Sequence, residues 1–206
     1  MIKLPDTVGG EKVSLIRIIP TQQNAEIMFD LVKRNRDFLG TYFRYLTLMM
    51  TSSKSALNHW HNNPQTTRYF IYHQNKAIGE IYACQKTDDN IAVVGYWLEK
   101  SHTRQGLMTE ALQLMEKALF CSGCEASRLN IVPVNTPSLR LALKSGYREI
   151  TVFSDPLSVR SFEKTKKMYE AAEKHSNVRR ICSHTPSVEG ALNDARLNSM
   201  VFTNGG

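Results

Sequence analysis

Apolar and polar residues along this chain follow two different periods, and the places where one gives way to the other outline its elements. Residues 15–19 form an apolar, strand-like run that Pro20 ends. Residues 24–33 then carry their apolar positions at helical spacing, with Asn24 as the candidate N-cap. The stretch 38–50 is rich in aromatic and apolar side chains. Ser52 or Ser53 caps a second helical segment to about His61, which Asn62, Asn63 and Pro64 end. Two strand-like runs follow at 67–72 and 77–83, joined by the tight polar turn 73–76. Asp88, Asp89 and Asn90 make another turn before the strong strand 91–98, which completes an antiparallel meander. Beyond it come a loop, a helix at 108–120, a strand at 129–134, a short helix at 137–144 and a strand at 147–153, a βαβαβ segment. Residues 156–175 form a charged helical stretch, and a loop at 184–187 precedes 188–202. The expected class is α/β in layers, with a mixed, mainly antiparallel sheet flanked by helices.

At 206 residues the chain suits a single domain, long enough to bury about two-thirds or more of its unfolded surface. With 42% hydrophobic and 22% charged residues, it has no apolar run near the ~18 that a membrane helix requires, so no membrane segment is expected. The N-terminus lacks an apolar core and a small-residue cleavage site, which points to the cytoplasm. Four cysteines do not make a disulfide framework for a chain this long and fit the same compartment. Lys and Arg number 26 against 19 Asp and Glu, a net charge of +7. That excess suits a polyanionic ligand or partner, and it equally suits a merely basic soluble protein. No direct contact with nucleic acid is assumed.

The strongest chemical signal is a strand, a short polar loop containing Gly106, and then an amphipathic helix. Such a junction presents unpaired backbone N–H groups and the positive end of a helix dipole, where a phosphate binds. Arg104 adds a full charge. Spacing alone also allows Gly106 to make only a tight turn.

Four segments together are more specific: Gly95-Tyr96-Trp97-Leu98-Glu99, the run from Gln105 to Leu112, Asn135-Thr136-Pro137-Ser138, and Ser145-Gly146-Tyr147. They resemble the GNAT acetyltransferase superfamily, in particular its RimJ/RimL-type branch of ribosomal-protein N-terminal acetyltransferases. The resemblance covers about residues 13–150, and parts of 188–202 look like that branch's closing strands. It implies acetyl-CoA as cosubstrate and transfer of acetyl to a primary amine.

The family's loop runs Gln or Arg, two residues, Gly, one residue, then Gly or Ala, and its amides bind the CoA pyrophosphate. Here the aligned residues are Thr103, Gly106 and Met108, so Thr103 replaces the leading Gln or Arg, while Arg104 stands where a further Gly is common. The implied cofactor-binding set is Arg104, Gln105, Gly106, Leu107, Met108 and Thr109, with Val94, Gly95, Tyr96, Asn135 and Ser138. Arg104 is suited to a direct, two-pronged contact with phosphate. The resemblance puts Asn135 beside the pantetheine, Ser138 near the thioester as the acid toward the leaving thiol, and an oxyanion donor among the amides of Val94 to Tyr96. Glu80 and Glu99 are the candidate general bases, each with a surface carboxylate as the alternative. Arg36, Tyr42 and Tyr45 fall in the segment that shapes the acceptor pocket in that branch.

Cys121, Cys124, Cys182 and His184 lack a standard metal-ligand spacing, and His59 and His61 lack support nearby, so no metal is expected. About 38 residues separate Ile150 from Glu189 where the branch continues directly, so 151–187 is read as an inserted or rebuilt segment with a basic amphipathic helix. The leading acceptor is a protein N-terminus, of the ribosomal-protein type. The alternatives are a small amine, such as an antibiotic or polyamine, or a noncatalytic acyl-CoA- or ribosome-binding module. A homodimer is a further expectation.

Overall fold

A computed structural model describes residues 3–85, 90–151 and 159–175. In chain order these form β1 (Thr7–Gly9), β2 (Ser14–Arg17), α1 (Gln22–Arg34), α2 (Arg36–Gly40), α3 (Arg44–Met49) and α4 (Ser53–His61). The hairpin β3 (Thr66–His73) and β4 (Lys76–Gln85) leads to β5 (Ile91–Leu98), a 3-10 turn at Lys100–His102, and α5 (Leu107–Cys121). Then come β6 (Ala126–Ile131), α6 (Thr136–Lys144), β7 (Arg148–Ile150), β8 (Arg160–Thr165) and α7 (Lys166–His175). The chain divides into units Met1–Ala171 and Ala172–Gly206, and the described part of the second is the end of α7.

The strands make one sheet in the order β1-β2-β3-β4-β5-β6-β8-β7. All neighbours run antiparallel except β5 and β6. Period-2 alternation sorts the side chains to two faces. Ile81 and Val94 join Leu112, Met115, Leu129 and Phe162 in a core beneath α5 and α6, while Phe70 and Trp97 join Met28, Leu31, Val32 and Trp60 beneath α1 and α4. The layered α/β class expected from the pattern is the one observed.

Local signals set several boundaries. Ser52 and Ser55 form a reciprocal capping box at the start of α4. The β3–β4 turn has only two residues, Gln74 and Asn75, both at positive φ (48° and 60°), a hairpin conformation that Asn tolerates. Three expectations are corrected. The cap of α1 is Thr21, whose hydroxyl accepts from the Asn24 N–H, while the Asn24 amide donates to the Ile19 carbonyl. The strand expected at 129–134 lies at Ala126–Ile131; Val134, 70% exposed, is outside the sheet.

The third correction concerns the stretch expected to be a single charged helix: it begins as β8, which inserts between β6 and β7, and only Lys166–His175 is helical. Phe162 and Lys164 point inward from β8, and the Lys164 charge meets Glu116 of α5 at 2.7 Å. A lysine in a strand thus acts as a core residue, which hides the strand's alternation. The short β1 had no signal in the pattern. The turn residues 86–89, the end of the strand expected at 147–153, and the segment 188–202 lie outside the described residues.

Candidate active site

The site begins where two parallel strands part. β5 and β6 pair only from Ile91↔Ala126 to Val93↔Arg128, although β5 continues to Leu98 and β6 to Ile131. The Glu99 amide bonds back to the Ile78 carbonyl at 2.7 Å. Because hydrogen-bonding direction alternates along an antiparallel pair, Trp97 and Gly95 also turn their amides toward β4, and Leu98, Tyr96 and Val94 turn theirs away. The last rung of the parallel ladder occupies the Val94 N–H, so Tyr96 is the first residue whose amide faces the open split. Gly95 serves a different purpose: a Cβ there would lie 2.3 Å from the Tyr82 ring, which crosses its face of the sheet.

The phosphate loop closes one end of the split. Gly106 caps α5 in the left-handed region (φ 79°) and supplies no side-chain cap. The first bond back into the helix is Glu110 N–H to the Gly106 carbonyl, so the amides of Leu107, Met108 and Thr109 have no intrahelical acceptor. Nothing lies within 4 Å of where a Gly106 Cβ would stand. An open surface with three unpaired amides at a helix N-terminus fits a phosphate group, and Arg104, itself at φ 63°, lies beside it. The Gln105 side chain is used within the loop, donating to the Ser101 carbonyl at 2.9 Å.

The opposite wall is the start of α6. Asn135 caps it, its Oδ1 accepting from the Ser138 N–H at 3.3 Å. Ser138 Oγ and Tyr96 Oη share a 2.8 Å hydrogen bond. Burial pushes the Tyr96 phenol up to about 12, against the Ser138 hydrogen bond, so it stays protonated throughout the neutral range.

These pieces line one cleft of about 750 Å³. Of the residues singled out from sequence, Tyr96, Arg104, Gly106, Leu107, Met108, Thr109, Asn135, Ser138 and Tyr42 meet there. Val94, Gly95, Gln105, Glu80, Glu99, Arg36 and Tyr45 do not line it. Glu80, 2% exposed, lies beneath α1 and α4, paired with Arg68 at 2.9 Å and accepting from Trp97 Nε1 at 3.1 Å. That pair engages its charge, and Glu80 does not line the cleft. Glu99 is held by Arg34 at 2.6 Å. Burial opposes its charge, yet the hydrogen bond and charge of Arg34, with Lys76 and Asn35, hold the carboxyl below its usual range and make it a weak base. Arg36 donates to the carbonyls of Thr47 and Met50, closing the C-terminal end of α3. Tyr45 stands 68% exposed.

The cleft also holds residues that the pattern did not single out, among them Phe38, Phe43, Lys100, His102, Arg140 and Lys144. Lys100 and His102 come to it because the backbone turns sharply after β5, where the Lys100 N–H bonds Asn35 Oδ1 of the α1–α2 junction at 3.0 Å. Arg140 and Lys144 share the cleft side of α6 with Pro137 and Leu141, a helical spacing that marks them in retrospect.

The model of the acetyltransferase (GNAT) family matches residues 32–147. No curated protein sequence matches the chain. Among solved structures, RimL, a ribosomal L7/L12 alpha-N-protein acetyltransferase in complex with coenzyme A, superposes with a TM-score of 0.69 at 17% identity, covering 79% of this chain and 99% of its own. RimJ of Mycobacterium smegmatis, in complex with CoA-disulfide, gives 0.67 at 19% identity, covering 82% and 95%. The microcin C7 self-immunity acetyltransferase MccE, in complex with acetyl-CoA and AMP, gives 0.64 at 18%, covering 76% and 93%.

Proposed function

The chain belongs to the GNAT acetyltransferase family, an acetyl-CoA-dependent N-acetyltransferase by that membership, and from this premise we propose that its acceptor is the primary amine at a protein N-terminus, of the ribosomal-protein type. The carrying observation is that one cleft joins the α5 amides, the Tyr96–Ser138 pair and the aromatic wall of Phe38, Tyr42 and Phe43. The neighbouring α3 exposes Tyr45, Leu48 and Met49, apolar surface on which a polypeptide could lie beyond its first residue. Similarity to RimL and RimJ supports the same acceptor.

Acetyl-CoA supplies the thioester whose acyl carbon the amine attacks. The amides of Leu107, Met108 and Thr109, with Arg104, hold the pyrophosphate. The Tyr96 N–H, free in the split, donates to the carbonyl oxygen as it gains negative charge. Ser138, tied to the protonated Tyr96 phenol, delivers a proton to the leaving sulfur. The expected compartment is the cytoplasm. Among the described residues no helix is long and apolar enough to cross a membrane.

A small-molecule amine is the second reading, favoured by the similarity to MccE, whose structure holds AMP, a small molecule, along with acetyl-CoA. Acetyl-transfer screening over N-terminal peptides and small amines, read by mass spectrometry, separates the two. Turnover confined to peptides with a free α-amine is expected; turnover confined to small amines would sink the protein-acceptor reading.

A further inference from the structure

Removal of a proton from the amine needs a base at the cleft, and among the described residues no carboxylate lines it. His102 does. It ends the 3-10 turn after β5, with its side chain 21% exposed, in the same cleft as Tyr96, Ser138 and Met108. Its Nδ1 lies 3.3 Å from Glu99 Oε2 and 3.0 Å from Ser101 Oγ. Ser101 Oγ can take either role in its bond to Nδ1, while the Glu99 carboxylate offers only acceptors, so that charge favours the hydrogen on Nδ1 and leaves the lone pair on Nε2.

The carboxylate is held in turn from two other elements. Arg34 of α1 contacts it at 2.6 and 3.4 Å and Lys76 of β4 stands 3.9 Å away, while the backbone just beyond β5 is held by the Glu99 N–H bond to the Ile78 carbonyl of β4. Among the described residues the other charged or titratable groups near the imidazole are His73 of β3, with ring centroids 6.1 Å apart, and Lys100 of the same turn, while Arg104 of the phosphate loop lines the same cleft.

We propose that His102 is the catalytic base that takes the proton from the acceptor ammonium group, with Glu99 as the positioning residue that fixes its tautomer and ring. The inference rests on the acetyl-transfer reading above. The ammonium proton passes to His102 Nε2, and the freed nitrogen lone pair forms the C–N bond to the acyl carbon. The C–S bond breaks with its electron pair going to sulfur. The excess proton left on nitrogen passes by way of the Ser138 hydroxyl to that sulfur, and the imidazolium returns its proton to water. The products are an amide and a thiol.

The test is the pH dependence of kcat and kcat/KM for the wild-type chain, His102→Gln and Glu99→Gln on the best acceptor from the peptide and amine panel. Thermal melting and KM for acetyl-CoA are measured alongside. Wild-type rates climb through an acid limb as the imidazole loses its proton. His102→Gln is expected to lose about 10²-fold in kcat, to lack that limb, and to recover at alkaline pH where the amine is neutral in solvent, with KM for acetyl-CoA within about 2-fold. Glu99→Gln is expected to retain the limb but to lose about tenfold in kcat with KM for acetyl-CoA unchanged, because the imidazole loses the partner that fixes its ring. A His102→Gln variant that retains the limb, or loses rate equally at every pH, overturns the assignment while leaving acetyl transfer standing. A folded wild-type chain that acetylates no amine overturns both.

Discussion

The Tyr96 phenol and the Ser138 hydroxyl meet at 2.8 Å across the split between β5 and α6, joining residues 42 apart in sequence. A strand that has left its parallel neighbour and a helix start capped by Asn135 are thereby tied at one point.

That bond makes the two side chains a single proton-delivering unit. Ser138→Ala is expected to lower kcat by about 10²-fold, Tyr96→Phe by less, and the double variant by little more than Ser138→Ala alone. Steady-state thiol release from acetyl-CoA measures all three. Losses that multiply in the double variant would separate the two groups.

Arg104 occupies the left-handed region at φ 63°, a conformation costing a non-glycine residue about 1 kcal/mol. Arg104→Gly should therefore raise the urea midpoint slightly while increasing KM for acetyl-CoA about tenfold, the equivalent of one lost charge-assisted contact of about 1.4 kcal/mol. An unchanged KM would show that the backbone amides hold the phosphates without the guanidinium.

Gly95 is required by Tyr82, whose ring atoms would lie 2.3 Å from an added Cβ. Gly95→Ala is expected to cost about 1–3 kcal/mol by overpacking, and Tyr82→Ala in the same chain should recover most of it. Calorimetric melting of the single and double variants reads the effect.

Glu80 and Arg68 form an ion pair whose side chains are 3% and 11% exposed. Glu80→Gln leaves the guanidinium uncompensated and is expected to cost about 3–5 kcal/mol of stability. The folded fraction should keep its kcat, since Glu80 does not line the cleft. A kcat that falls by orders of magnitude at full folding would restore Glu80 as a base.

Glu99 predicts a pH dependence of stability. Its carboxyl titrates below the usual range in the folded chain, where Arg34 outweighs the burial that opposes its charge. The folded state thus favours the ionised form. The resulting stability is present above the carboxylate's unfolded value and is lost as pH falls through the lower folded one. Urea midpoints measured from neutral pH into acid should fall less steeply for Glu99→Gln than for the wild-type chain.

Much of the scaffold was legible in the residues because its signals are local. The strand Ile91–Leu98 was recognised with the same bounds, and α5 and α6 within one residue at each end, from apolar periodicity and the signals at Gly106, Asn135 and Pro137. The cap of α4 was readable as Ser52 or Ser53, and the structure selects Ser52, since a hydroxyl three residues before an orphan N–H needs no distant partner. The loop, Asn135 and Ser138 pointed to one ligand, and the fold brings them to one cleft.

The sequence by itself determined the layered class, the central meander and the starts of α5 and α6, because each depends on neighbours a few residues apart, while the resemblance of several separate segments carried the family of chemistry. Only the tertiary structure decided which charged side chains are available. Glu80 is captured by Arg68 and Trp97, Arg36 by the end of α3, and Lys164 by Glu116, so residues that looked reactive or exposed became structural. His102 gained a carboxylate behind it and a cleft in front of it. The partners that set a buried charge's role lie on other strands and helices, and its energy depends on their distance and on the exclusion of water, neither of which is encoded in local spacing.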